Sequence, residues 1–280
     1  MKTYFKLMII PFLVLFLLSG TSIAAPFGTN ITISDQNYNT SGNSWYTNHE
    51  DQEVEPGMSD KQEWDLEGFF LNTSQYNSQL TMIGGFDFDG RTDYPSGDIF
   101  IDIDGDAIYG DYHKSSDGIE KGGNFGYDYV LDLDFTTNRL TDGNVYSTTT
   151  YSVYELNKDS VTLTAYYDDN YGSSPWRYES DGVLVNGWEN KRMWYEEGIS
   201  DQTLLDREGI SLLGGEHNAL MVDLGFLGHN IENFTAHFTM KCGNDNLMGS
   251  TAPVPEPATL LLFGTGLIGL AGVGRKKFKR

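Results

Sequence analysis

Along most of this chain hydrophobic and polar residues alternate with a period of two, in short runs punctuated by Gly, Asn, Asp and Ser. That is the pattern of half-buried β-strands joined by turns. It predicts strands over 30–34, 64–71, 80–88, 99–103, 127–135, 145–156, 161–167, 210–213, 219–224 and 234–242. Helical periodicity is visible only over 201–208, where one short helix is predicted. The Asn-rich stretch 35–48 and the acidic stretch 50–61, which holds Pro56-Gly57, read as loops. Many short strands at this spacing predict an all-β fold, a single antiparallel β-sandwich of jelly-roll type spanning 25–245. Residues 246–254 read as a linker behind it.

Both ends break the alternation. At the start, Lys2 and Lys6 precede the apolar run Leu7 to Leu18, and small residues follow. This predicts a secretory signal peptide over 1–24, cut after Ala24, with Ser22 and Ala24 as the small residues of the cleavage site. At the other end, Pro255-Glu256-Pro257 is followed by an uncharged apolar run from Ala258 to Gly274. Arg275, Lys276, Lys277, Lys279 and Arg280 close the chain. A run of about 17 apolar residues is at the lower limit for crossing a bilayer as a helix. The basic cluster predicts a cytoplasmic end, with everything upstream outside. Gly264, Gly266 and Gly269 suit a membrane span better than a water-exposed helix.

Charge changes the picture next. The chain carries a formal net charge of −22, with 40 acidic and 18 basic residues. Seven of the basic residues (Lys2, Lys6 and the five of the tail) sit in the two ends, so the body is more acidic than the total suggests. Such a surface argues against nucleic acid and anionic membranes. It favours cations, above all hard divalent ions that take oxygen ligands. Aromatics make up 14% of the chain, enough for a sizeable core. Cys242 is the only cysteine, so no intrachain disulfide staples the fold.

The acidic residues are not scattered evenly. Asp98, Asp102 and Asp104 oppose Ile99, Ile101 and Ile103, and Asp128, Asp132 and Asp134 oppose Tyr129, Leu131 and Leu133. Asp is a poor strand former, and like charges facing one another across strands repel. Solvent or a bound cation must offset that repulsion. The tightest cluster is Asp102-Ile103-Asp104-Gly105-Asp106, extended by Asp111. Alternating carboxylates of this kind converge on one calcium ion in known loops. Gly105 falls at the fourth position rather than the sixth and no Glu stands twelve residues on, a departure from the EF-hand pattern that favours a strand-end calcium site on Asp102, Asp104, Asp106 and Asp111. Asp87 and Asp89, ahead of Gly90, form a weaker second candidate.

Other chemistry is thin. Asp168-Asp169 and Glu196-Glu197 are neighbours whose side chains point apart in a strand, unlike the facing carboxylates of a glycosidase. His229 and His237 stand eight apart with no further zinc ligand. No nucleophile motif and no phosphate-cradling loop occurs, so no catalytic residue is assigned. Trp176, Tyr178, Trp188 and Trp194 fall in one Gly- and Asn-rich stretch. They supply either a sugar-stacking surface or the second half of the core.

Val254-Pro255-Glu256-Pro257-Ala258-Thr259, with the short span and basic end behind it, closely resembles the PEP-CTERM sorting signal of bacterial surface proteins. Ala236 to Asp245, a strand ending in Cys-Gly-Asn-Asp, is similar to the closing strand that precedes such tails. In strand phase Phe234, Ala236, Phe238, Met240 and Cys242 share one face, which makes Cys242 a buried core residue. The resemblance implies recognition by an exosortase in the inner membrane, after passage through the secretion machinery. It further implies transient anchoring, cleavage near the motif, and delivery to a cell surface or matrix rich in exopolysaccharide. The expected function is a non-enzymatic, calcium-stabilised surface or matrix protein. A carbohydrate-binding module and a glycan-degrading enzyme stand as alternatives.

Overall fold

The structure, a computed structural model, describes residues 27–33, 50–55, 57–73, 78–90, 93–107, 121–135, 149–166 and 174–251. The expected signal peptide, Asp111, Asp168, Asp169 and the sorting tail lie outside these residues. Strands dominate. In chain order they are β1 (Thr29–Asn30), β2 (Thr32–Ile33), β3 (Leu66–Thr73), β4 (Ser78–Gly84), β5 (Ile99–Asp102), β6 (Lys121–Gly122), β7 (Tyr129–Asp134) and β8 (Thr150–Glu155). There follow β9 (Val161–Leu163), β10 (Arg177–Ser180), β11 (Val183–Leu184), β12 (Lys191–Arg192), β13 (Trp194–Ser200), β14 (Glu216–Asp223), β15 (Thr235–Thr239) and β16 (Asn246–Ser250). One α-helix, α1, covers Asp201–Glu208.

The strands form antiparallel sheets. A five-stranded sheet runs β1-β3-β4-β14-β13, and a larger one runs β11-β8-β7-β5-β15-β16-β2 with β12 beside β8. Between them lies the main core. Leu66, Phe69, Leu80, Met82, Leu220 and Val222 from the first sheet meet Ile99, Ile101, Leu131, Val153, Phe238 and Leu247 from the second. In register, Leu220 stands opposite Met82, and Ile99 opposite Leu131. Matching apolar sets therefore share the inner faces. The chain switches sheets at Ile31: β1 pairs with β3, and β2 pairs with β16.

Neither sheet leaves its outer face wholly to water. Behind the first, Phe70, Ile83 and Ala219 pack with Leu204 of α1 and with Ile210 and Leu212. This is why β3 is buried through six successive residues rather than alternately. Behind the second, Phe100, Val130, Tyr127 and Leu156 form a separate cluster. A three-stranded sheet, β10-β9-β6, lies there, with Tyr178 stacked on Tyr154 at 4.8 Å.

Several expected elements change. Residues 210–213 form no strand; Ile210 and Leu212 instead cover the outer face of the first sheet. The strand expected over 80–88 ends at Gly84, and Phe86 and Phe88 enter the core from a turn. The linker expected over 246–254 is corrected by β16, whose residues Asn246 to Gly249 are buried. Leu247 faces Phe238 across the β15–β16 pair, so core burial claims these residues despite their Gly- and Ser-rich flank. Among the described residues no helix is long and apolar enough to cross a membrane.

Candidate metal centres and the sorting tail

At the end of β5 the chain turns at Gly105 (φ +83°), a left-handed conformation in which a Cβ is strained. The turn folds on Asp102, whose Oδ1 accepts the backbone N–H groups of Asp104 (3.1 Å) and Gly105 (2.8 Å). Asp102 Oδ2 accepts the Ala107 N–H at 3.3 Å, and Asp104 Oδ1 accepts the Asp106 N–H at 3.3 Å. One oxygen from each of Asp102, Asp104 and Asp106 lies within 4.8 Å of the others. Asp102 is buried while Asp104 and Asp106 are exposed. The hydrogen bond and charge of Asp104 hold the Asp106 carboxyl above the usual range. Asp87, the weaker candidate, is a turn cap: its Oδ1 accepts from the N–H groups of Asp89 and Gly90 and from the Tyr195 hydroxyl.

The Asp face of β5 is less wet than its sequence suggests. Asp98 is buried at the edge of the cluster behind the sheet. Its two oxygens accept the N–H groups of Leu133 (2.9 Å) and Tyr178 (2.7 Å). Burial, followed by the charge of Asp132, pushes the Asp98 carboxyl up to about 8 against those two donors. Asp98 thus joins β7 to β10.

The four candidate sugar-stacking residues do not form one surface. Trp176 is 3% exposed, so it belongs to the interior. Tyr178 is stacked on Tyr154, and Trp188 lies edge-on to Phe226 with the Lys191 ammonium 5.2 Å from its ring centre. Trp194, 39% exposed, sits on β13 of the other sheet. No ring contact joins any two of the four. His237 stacks on Tyr127 at 5.6 Å, and Cys242 is buried in the main core. Glu196 holds Arg207 through both carboxylate oxygens, an ion pair and not a catalytic arrangement.

The largest concentration of chemistry is one that strand periodicity passes over. Glu50, Asp51, Glu53, Val54 and Glu55 are buried against the start of β3 and the segment leading into β16, while Gln52 is exposed. The Glu55 N–H donates to the Asn244 carbonyl (3.1 Å), and the Asn246 side-chain amide donates to Glu55 Oε1. The Gln52 N–H donates to Asp65 Oδ2 (3.0 Å), the Leu213 N–H to Asp51 Oδ1 (3.2 Å) and the Leu66 N–H to Asp245 Oδ2 (2.5 Å). Two carboxylate triads result, Asp51-Asp65-Glu67 and Glu50-Glu53-Asp245, each with one oxygen per residue within 4.8 Å. None of the six is more than 4% exposed.

Burial, reinforced by Glu67, pushes the Asp51 carboxyl up to about 7 and that of Asp65 well above its usual range. Burial and then Glu53 do the same to Asp245. Glu67 is paired with His217, whose Nδ1 lies 2.6 Å from Glu67 Oε2 and whose Nε2 lies 2.9 Å from Asp201 Oδ1. Burial pulls the imidazole pKa down, but the bonds to Glu67 and Asp201 outweigh it and leave it raised. Gln62 Nε2 adds a bond to Glu67 Oε1 at 2.6 Å. The sequence signal for this site was the acidic run Glu50-Asp51-Gln52-Glu53-Val54-Glu55, which as a loop composition looks merely solvated.

Comparison with known proteins bears on the tail. Residues 253–276 match the PEP-CTERM protein-sorting motif. The tail is a PEP-CTERM sorting signal. This motif marks the chain as an exported, exosortase-sorted surface protein, processed at the membrane. No curated protein and no solved structure matches the chain. The PEP-CTERM motif starts two residues after Thr251, whose backbone N–H and Oγ1 both bond to Phe234. The body is therefore folded up to the edge of its own sorting signal.

Proposed function

We propose that this chain is a non-enzymatic surface or matrix protein that associates with exopolysaccharide, its jelly-roll-like body acting as an acidic, calcium-dependent adhesive unit. The carrying observation is the PEP-CTERM motif at residues 253–276, an address for the cell surface. The apolar run Ala258 to Gly274 serves as a transient inner-membrane span ahead of exosortase cleavage. Calcium at Asp102, Asp104 and Asp106, with Asp111, supports contact with an acidic polysaccharide. The two exposed carboxylates leave open coordination positions that a sugar acid can fill. The carbohydrate-binding alternative keeps Trp194 as its exposed ring.

Two variants test this reading in the producing cell. Replacing Pro255, Glu256 and Pro257 with alanine should leave the body tethered with its tail uncut, and normal release would sink the sorting assignment. Asp104→Ala should be sorted normally yet leave the polysaccharide fraction for the medium. If it stays with the polysaccharide while Trp194→Ala leaves, the carbohydrate-binding alternative replaces the calcium bridge.

A further inference from the structure

The body buries more carboxylate oxygens at one place than its own hydrogen-bond donors satisfy. In Asp51, Asp65 and Asp245 one carboxylate oxygen accepts a backbone N–H, from Leu213, Gln52 and Leu66 respectively. The other oxygens, Asp51 Oδ2, Asp65 Oδ1 and Asp245 Oδ1, are sealed from solvent and meet no donor. Among the described residues no Lys or Arg pairs with any of these three. A buried carboxylate oxygen without a partner is costly. A proton relieves one or two oxygens, whereas a calcium-sized ion gathers six to eight.

We propose that Asp51, Asp65 and Glu67, with Glu50, Glu53 and Asp245, form two adjoining sites for hard divalent cations of calcium size. Asp245 Oδ2 accepts the N–H of Leu66, the residue after Asp65, and Glu53 of one triad raises the carboxyls of both Asp65 and Asp245, so the two triads adjoin. Their ligands are all oxygen. The neighbouring imidazole is unavailable, because both nitrogens of His217 are engaged by Glu67 and Asp201. Such a set disfavours zinc and copper. Magnesium keeps several waters and a near-ideal octahedron, which a site no more than 4% exposed does not accommodate.

The ligands come from three distant parts of the chain: the 50–53 segment, the start of β3, and the residue before β16. Bound ions would therefore lock the final strand, and with it the point where the PEP-CTERM tail leaves the body. This centre is separate from the strand-end loop at Asp102, and neither depends on the other.

The test uses the full-length chain in mild detergent, stripped with chelator and then given calcium or magnesium. Calcium at about 100 times its dissociation constant should raise the melting temperature by about 5–11 °C, and magnesium should raise it less. Metal analysis after dialysis should find calcium bound. The double variant Asp65→Asn with Asp245→Asn keeps an acceptor for the Gln52 and Leu66 N–H groups while removing two like charges. It should melt higher than the wild-type chain in chelator and lose the calcium response. Asp51→Asn alone should reduce the bound calcium, and it serves if the double variant does not fold. Asp104→Ala should keep most of the response. The proposal is overturned if the wild-type chain binds no calcium, if the response survives in the Asn variants, or if Asp104→Ala abolishes it.

Discussion

At the scale of single residues, the decisive feature is where carboxylates go when a sheet is covered on both faces. Asp98 sits behind the large sheet and spans two strands by accepting the N–H groups of Leu133 and Tyr178. Its folded pKa, about 8, lies above its unfolded value of about 3.8. A raised acid contributes stability that is complete below the unfolded pKa and lost as pH rises through the folded one. Asp98→Asn places an NH2 group against one of the two backbone donors and should cost about 1–3 kcal/mol at pH 5. The gap should narrow toward pH 8, since the wild-type chain loses stability over that range and the amide does not. Urea unfolding at the two pH values measures both. An unchanged gap would mean that Asp98 is already ionised at pH 5.

At the scale of elements, α1 shows how a short helix is specified locally and then held by packing. Ser200 caps its start, accepting the Thr203 N–H at 3.2 Å, and Gly209 ends it at φ 72°. Asp201 in the first turn and Arg207 in the last complement the helix dipole. Leu204, fully buried, fastens the helix to the outer face of the five-stranded sheet. Thermal melts should find Ser200→Ala destabilising by about 1 kcal/mol. Gly209→Ala should cost about 1 kcal/mol through backbone strain alone, because its Cβ would meet nothing within 4 Å. A loss several times larger at Gly209 would point to an unrecognised contact.

At the scale of the whole molecule, the last strand decides where the body stops. β16 places Leu247 and Met248 in the interior between β15 and β2. Ending the chain after Thr251 should leave a protease-resistant body, since only the sorting region is removed. Ending it after Asp245 strips β16 from its sheet and leaves β2 and β15 without their shared neighbour, so that chain should be rapidly digested. Equal resistance of the two would show that β16 is an accessory strand. Folding right up to the sorting signal also fits the job of the tail, which must reach a membrane enzyme without unravelling the body.

The sequence by itself determined the strand-rich class, the helix over 201–208, the proximity of Asp102, Asp104 and Asp106, and the sorting tail. All four rest on short-range information. A period of two, a cap three residues from its donor, carboxylates spaced within one turn, and a linear motif are each written within a few residues of themselves. Tertiary structure alone decided which outer faces are covered, so that β3 is buried on both sides, Asp98 is interior and Trp176 is core rather than sugar platform. It alone turned the first five residues of the apparent linker 246–254 into a buried strand. It alone assembled Asp51, Asp65 and Asp245, which stand up to 194 residues apart. Local composition cannot report such partners, because burial depends on what arrives from elsewhere in the chain. An acidic loop in solvent and an acidic basin in the interior are spelled with the same residues.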